Sequence, residues 1–419
     1  MSAPAGPRGD KPTEIRYGLY HSSSLEKMNM SSLLVHNASL VLPGGVIDRG
    51  WILVEDARIT GIAATADQPE PVLGPQTAVY DAGGRYVLPG FVDIHVHGGG
   101  GAAFSAGDAE QALTAARFHL GHGTTTIMAS LVTGELSELE HHIGELSGLV
   151  QDGLLAGIHL EGPFISKARC GAHDPALLRE PEPAAVKRLL RAGDGTVRMV
   201  TLAPELDHGL TAVQLLTDEG VIAAVGHTDA TYAQTRKAID LGAPVGTHVF
   251  NAMRPVHHRE PGPVTALLEQ EQVIGEVVND GLHVHPSVVS LMFEAAGAHR
   301  IALITDAMVA AGMGDGEYNL GPLSVHVRDG EARLAEGDSL AGSTLTMDVA
   351  LRNAVKSAGV SLTDAAVSAA LTPARALGLA GEIGSLETGK RADLVVLDED
   401  LRLVSVMRSG EWVDAPSPV

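Results

Sequence analysis

The order of hydrophobic and polar positions divides the chain into three stretches. In the first, short apolar runs at Leu33–Leu42, Trp51–Val54, Arg58–Ile62 and Thr77–Tyr80 predict strands, with a turn at Gly44-Gly45. From residue 86 the pattern changes to strand followed by helix. The runs Tyr86–Val96, Thr124–Leu131, Leu154–Leu160, Val197–Ala203, Val221–Val225, Val245–Val249, Val273–Val278 and Ile301–Ile304 predict eight strands. Helical spacing lies between them. Ala109–Leu120 stops at Gly121, Pro183–Leu190 opens on a proline suited to a first helical turn, and Thr231–Leu241 stops at Gly242. Eight alternations predict an α/β fold, a TIM-like (β/α)8 barrel over residues 89–379. In the third stretch Ala392–Leu397, Leu403–Met407 and Glu411–Val413 return to strands, the last two paired across Ser409-Gly410. The two β-rich ends, 31–88 and 380–419, are expected to combine into one small β-sandwich domain. Residues 309–347 exceed an ordinary connection; their hairpin-like pieces, Leu323–Val327 and Ala332–Leu334, are expected to cover the barrel mouth. Residues 1–30, rich in Pro, Gly and Ser, are expected to form a disordered extension.

Composition narrows the function. Hydrophobic residues make up 45% of the 419, but aromatic residues only 3%, so the core must be aliphatic. With 29 basic and 51 acidic residues the formal charge is −22. A chain of that charge does not hold nucleic acid or an anionic membrane through its overall field. An anionic substrate would need local positive groups or a metal. The single cysteine, Cys170, excludes an intrachain disulfide and a cysteine-rich zinc site. Residues 1–30 hold no apolar core of signal-peptide length, and no apolar run reaches the ~18 residues of a membrane helix, so a soluble cytoplasmic protein is expected.

The chemistry collects at the C-terminal ends of the predicted strands, where barrels of this kind carry their active residues. His95 and His97, two apart at the end of one strand, project to one side. Other strands end in His159-Leu160-Glu161, Gly226-His227, Thr247-His248 with Asn251 shortly after, Asn279-Asp280 with His283, and Thr305-Asp306. Any one of these alone would be an ordinary polar residue or helix cap. Six at one face point to a metal site with nitrogen and oxygen ligands. Glu161, His227 and His248 make a His2Glu set of the open, catalytic type. His95 and His97 can hold a second metal with Glu161 bridging. Asp306 is placed to take a proton from water and return it to a leaving group. The chemistry implied is hydrolysis of a carbonyl bond.

The segments PGFVDIHVHG (89–98), HLEGPF (159–164), VGHTDA (225–230), GTHVFNAM (246–253), NDGLHV (279–284) and ITDAM (304–308) resemble, in order, the motifs of the N-acetylglucosamine-6-phosphate deacetylase family of the amidohydrolase superfamily. The resemblance spans about 32 to 415 and includes IGSLETGKRADLVVLD (383–398) near the C-terminal end. It implies Glu161, His227 and His248 as ligands of a principal metal, and His95 and His97 as the pair that some members use for a second. Other members carry Gln and Asn there. The resemblance also implies Asp306 as catalytic base and acid, and His173 (in GAHDP) as the group that binds substrate and polarises the acetyl carbonyl. Asn251, Ala252 and His283 become substrate contacts. Arg259 (in HREPG) becomes the phosphate clamp that reaches in from the neighbouring subunit of a homodimer. The cofactor implied is one or two divalent ions per subunit, zinc first, with iron, manganese or cobalt as other candidates. The substrate implied is a phosphorylated amino sugar.

Three other readings compete. A cyclic amidase of the same superfamily would typically bridge its metals with a carboxylated lysine, where this chain offers Glu161. A deacetylase of another N-acetyl sugar or sugar phosphate would share every motif, although HREPG favours phosphate. A non-catalytic scaffold would have lost ligands, and here none is missing.

Overall fold

The computed structural model describes residues 32–337 and 339–413. The expected N-terminal extension lies outside the described residues. Among those described, no helix is long and apolar enough to cross a membrane.

The eightfold alternation forms a parallel barrel. Strands Ala129–Val132, Ile158–Glu161, Val197–Leu202, Ile222–Val225, Val245–Gly246, Ile274–Val278 and Ile301–Ile304 pair in sequence order, all parallel. Their side chains are almost all buried, as expected where helices cover the outer face of a parallel sheet. Phe91–Asp93 pairs with Thr124–Ile127 and completes the circle. On its other side the contact with the Ile301–Ile304 strand is made just beyond the strand ends: Asp306 N donates to His95 O (2.9 Å) and His97 N to Ala307 O (2.8 Å). A buried side-chain bond, Thr305 Oγ1 to Asp93 Oδ2 at 2.6 Å, pins the seam.

One predicted strand is two. Tyr86–Pro89 and Phe91–Asp93 separate at Gly90 and join different sheets. A Cβ at Gly90 would run into the side chains of Thr125 and Asp393, so the crossing between sheets needs a glycine. His95 and His97 therefore lie in irregular backbone beyond the strand, not within it.

The helices start as their sequences dictate. Asp108 caps Ala109–Gly121 by accepting from Glu110 N, Pro183 opens Pro183–Gly193, and Thr231 with Gln234 forms a capping box on Tyr232–Asp240.

The chain ends share one eight-stranded sheet. Ser32–Leu42 pairs with Gly45–Glu55, Thr77–Asp81 and Tyr86–Pro89; Tyr86–Pro89 pairs with Leu394–Leu397, and Leu403–Arg408 and Glu411–Val413 follow. The layers of the expected sandwich are thus parts of one hydrogen-bonded sheet curled over a core of Leu33, Val35, Leu40, Ile52, Leu394 and Val396. Tyr80 stacks against Trp412 (ring centroids 4.4 Å apart) where the curl closes. Residues 316–334 form a three-stranded antiparallel sheet, Gly316–Leu320, Leu323–Arg328 and Glu331–Leu334. It packs through Leu320 and Val325 against Val132 and Met308, beside the C-terminal ends of the barrel strands.

Candidate active site

Glu161 closes the Ile158–Glu161 strand, and five imidazoles converge on its carboxylate. Oε1 meets His248 Nε2 (2.9 Å), His227 Nε2 (3.0 Å) and His95 Nε2 (3.4 Å); Oε2 meets His97 Nε2 (3.1 Å) and His173 Nε2 (3.4 Å). Asp306 Oδ1 lies 3.2 Å from His97 Nε2 and 3.6 Å from His95 Nε2. All seven residues are buried.

The local backbone explains how strands deliver these side chains inward. His95, His227, His248 and Asp306 each stand two residues past a strand end. Three of them, His227 (φ 45°), His248 (φ 26°) and Asp306 (φ 50°), adopt the left-handed region, which is uncommon for non-glycine residues and most accessible to Asn, Asp and His. The chain turns at once and aims each side chain at the barrel axis. After His97 the turn is glycine because space demands it: a Cβ on Gly99 would lie 2.7 Å from His119 Nε2.

Hydrogen bonds assign the tautomers. His97 Nδ1 faces Ser130 O (3.2 Å) and His227 Nδ1 faces Arg169 O (2.9 Å). Carbonyls only accept, so both Nδ1 atoms carry the proton and both Nε2 atoms present lone pairs inward. His95 does the same, with Nδ1 on Glu276 Oε2 at 3.0 Å. Bare Nε2 atoms of His95, His97 and His227 then face carboxylate oxygens; those of His95 and His97 are 3.2 Å apart, and His248 Nε2 lies 3.0 Å from that of His227. Such an array repels itself unless positive charge sits at its centre. The acid–base behaviour agrees. Burial works against the charged form of His97, yet Asp306 and Glu161 outweigh it and push its pKa up to about 9. Burial likewise opposes charge on Glu161, but His95 and the other histidines hold its carboxyl well below the usual range. Two trios, His95–His97–Asp306 and Glu161–His173–His227, each bring three ligand atoms within 4.8 Å of one another. These donors fit divalent cations.

His173 differs from the rest. The backbone N–H of Thr133 aims at its Nδ1 (3.4 Å), and the Thr133 hydroxyl lies 2.9 Å from the same atom. Nδ1 is therefore an acceptor and Nε2 carries the proton. Burial lowers its pKa to about 4, so near pH 7 the ring is neutral and still donates from Nε2. It suits an oxygen that gains negative charge better than a cation, although it falls in one of the ligand trios. His248, with Nε2 on Glu161 and His227, takes the ligand place better.

The remaining expected residues lie further out. Asn251 and Ala252 are half-buried on the loop after His248, Asn251 Nδ2 donating to His248 O (3.3 Å). His283 is held by Asp280, Nδ1 to Oδ2 at 2.7 Å; burial opposes its charge, but Asp280 raises its pKa. Asp280 also accepts from the backbone of Leu282 and His283, so it shapes that turn. Arg259 is exposed and rests on His258 Nε2 (2.8 Å), outside the cluster of its own chain. Cys170 is half-buried between Arg169, whose carbonyl faces His227 Nδ1, and Gly171, which backs onto the His227 ring.

Two residues beneath the site carry no sequence assignment. Glu276 holds His95. His159, kept neutral by burial, spans Ser130 Oγ (2.9 Å) and Thr201 Oγ1 (2.8 Å) and packs edge-on to His95. For Glu276 the available signal was a titratable residue inside an otherwise apolar strand.

The chain matches the amidohydrolase family over residues 86–413. It is 34% identical to an N-acetylglucosamine-6-phosphate deacetylase of Lysinibacillus sphaericus, covering 90% of this chain and 97% of that protein. It is 38% identical to an N-acetylgalactosamine-6-phosphate deacetylase of Escherichia coli O157:H7, covering 87% and 96%. The chain belongs to the N-acetylglucosamine-6-phosphate deacetylase family. A solved member of that family, a Mycobacterium smegmatis mutant in complex with N-acetyl-D-glucosamine 6-phosphate, superposes with a TM-score of 0.86 at 46% identity, covering 91% of this chain and 99% of that one. The family is one of metal-dependent amidohydrolases, and the cluster around Glu161 is where this member has the donors for a metal.

Proposed function

We propose that this protein hydrolyses the acetamide of N-acetyl-D-glucosamine 6-phosphate to D-glucosamine 6-phosphate and acetate, a cytoplasmic step of amino-sugar catabolism. The observation that carries this reading is the convergence of five imidazoles on Glu161, with Asp306 beside them, in a chain of this family. Glu161, His227 and His248 would hold one divalent ion, and His95 and His97 a second, with Glu161 between the two. Zinc is the first candidate, then iron, manganese or cobalt. A bound divalent ion supplies Lewis acidity towards the acetyl oxygen and makes a water more acidic.

The protein groups do the rest. Asp306 Oδ1 takes the proton of the attacking water as oxygen bonds to the acetyl carbon, and returns it to nitrogen as the C–N bond breaks. His173 donates from Nε2 to the acetyl oxygen as negative charge develops there. Asn251, Ala252 and His283 hold the sugar phosphate. Arg259, exposed in its own chain, serves the neighbouring subunit of a homodimer and binds the phosphate there. Local cations of this kind answer how a chain of charge −22 takes an anionic substrate.

A second reading, the galactosamine epimer, is favoured by one observation: the 38% identity to an N-acetylgalactosamine-6-phosphate deacetylase. Acetate release from both phosphorylated sugars and from unphosphorylated N-acetylglucosamine, with metal content measured on the same protein, separates these readings. Faster turnover of the galactosamine phosphate would replace the proposed substrate with its epimer. Equal rates with and without phosphate would sink the phosphate assignment. A cyclic amide cleaved in preference to all three would restore the cyclic-amidase reading.

A further inference from the structure

Glu276 sits in the middle of the Ile274–Val278 strand, fully buried inside the barrel. Its Oε2 accepts from His95 Nδ1 at 3.0 Å and from the backbone N–H of His248 at 3.2 Å. Its Oε1 is buried and finds no hydrogen-bond partner among the described residues. Its one ion-pair partner among them is His95. A carboxylate in such a place is expensive for the fold, and the bonds it makes all lead to the imidazole cluster.

We propose that Glu276 is a positioning residue that enables the His95–His97 half of the site to hold its own divalent ion. This rests on the two-ion reading given above. Three features argue for it. The carboxylate fixes the proton of His95 on Nδ1 and turns a bare, more basic Nε2 towards the centre. The same oxygen holds the amide of His248, whose left-handed backbone (φ 26°) places its ring in the other half. One atom thereby sets the spacing of both halves. Finally, two divalent ions bring four positive charges, against which Glu161 and Asp306 alone supply two negative ones. Among the described residues Glu276 is the third carboxylate to meet an imidazole of the cluster; Asp93 reaches only the backbone N–H of His95.

Glu276→Gln separates charge from shape. The amide oxygen can keep both bonds of Oε2, and the amide nitrogen falls where Oε1 now has no partner. Metal-free protein is titrated with Co²⁺, with stoichiometry read by equilibrium dialysis and ligation by visible absorption. The wild type is expected to take two cobalt ions per subunit. Glu276→Gln should keep the first and bind the second roughly 10- to 100-fold more weakly. His95→Gln combined with His97→Asn should lose the second outright. Urea unfolding of the metal-free proteins should find Glu276→Gln at least as stable as the wild type, which a purely structural glutamate would not allow. Wild-type affinity for the second ion in Glu276→Gln overturns the assignment and leaves the two-ion reading intact. A single ion in both the wild type and the His95/His97 variant overturns both. Failure of Glu276→Gln to fold places the residue in the scaffold and also overturns the proposal.

Discussion

Exchanging His119 for glutamine isolates the acid sensitivity of the loop that carries His97. His119 is fully buried on the Ala109–Gly121 helix, and its Nε2 donates to Gly98 O at 2.9 Å. Its Nδ1 is buried without a partner, so a second proton there would have nothing to offset it. Burial accordingly lowers its pKa from 6.5 to about 4, with the Gly98 bond opposing the shift only in part. As pH falls, the unfolded chain takes up this proton near 6.5 while the folded chain resists to about 4. The stability this group leaves intact is complete above pH 6.5 and is lost progressively below it. Across the roughly 2.5 pH units between the two values the loss reaches about 3 kcal/mol at pH 4. Glutamine keeps an N–H donor and does not titrate. Urea unfolding of metal-free wild type and His119→Gln at pH 7 and pH 4 measures the difference. The wild type should lose about 3 kcal/mol more than the variant on going to pH 4. Equal losses in the two proteins would refute the burial argument.

Three further outcomes are expected. Asp306→Asn should lower kcat/KM by roughly 10²- to 10⁴-fold, about 3 to 5 kcal/mol, while calorimetry still detects binding of the sugar phosphate; near wild-type turnover would remove Asp306 from the proton path. Arg259→Ala should raise KM for the phosphorylated sugar by about 10- to 100-fold, the worth of a charge-assisted bond, and leave the free sugar unaffected; parallel changes for both sugars would count against a phosphate clamp. Thr305→Val removes the 2.6 Å bond to Asp93, whose pKa burial already pushes up to about 7, and should destabilise the protein by about 1 to 3 kcal/mol in urea unfolding; an unchanged midpoint would mean that the seam does not depend on that bond.

Much of the barrel was legible because parallel strands buried on both faces leave uninterrupted apolar runs, and Ile301–Ile304 matches its prediction residue for residue. The same property hid the division at Gly90: Val87, Leu88, Phe91 and Val92 are equally buried, though two different sheets bury them. Gly316–Leu320 escaped notice because its Glu-Tyr-Asn centre lies on an exposed face with no apolar signature. In the site, residues at strand ends stood out where apolar sequence turned polar. Glu276 did not, because it is flanked by Gly275 and Val277 inside a strand and its partners come from two distant segments. The tautomer of His173 depends on Thr133, forty residues away, which no local pattern conveys.

The pairing of Leu394 with Pro89 has a consequence for how the protein is made. These partners are 394 − 89 = 305 residues apart, and the strands beyond Leu394–Leu397 extend the same sheet. At a synthesis rate of about 5–20 residues per second, Tyr86–Pro89 waits roughly 15 to 60 s on the ribosome with one edge open. Through that interval the nascent chain presents an apolar strand edge of the kind that recruits other strands. The interval closes only when Leu394–Leu397 emerges, so stalling or truncation before Leu394 leaves this edge open to pairing with other chains.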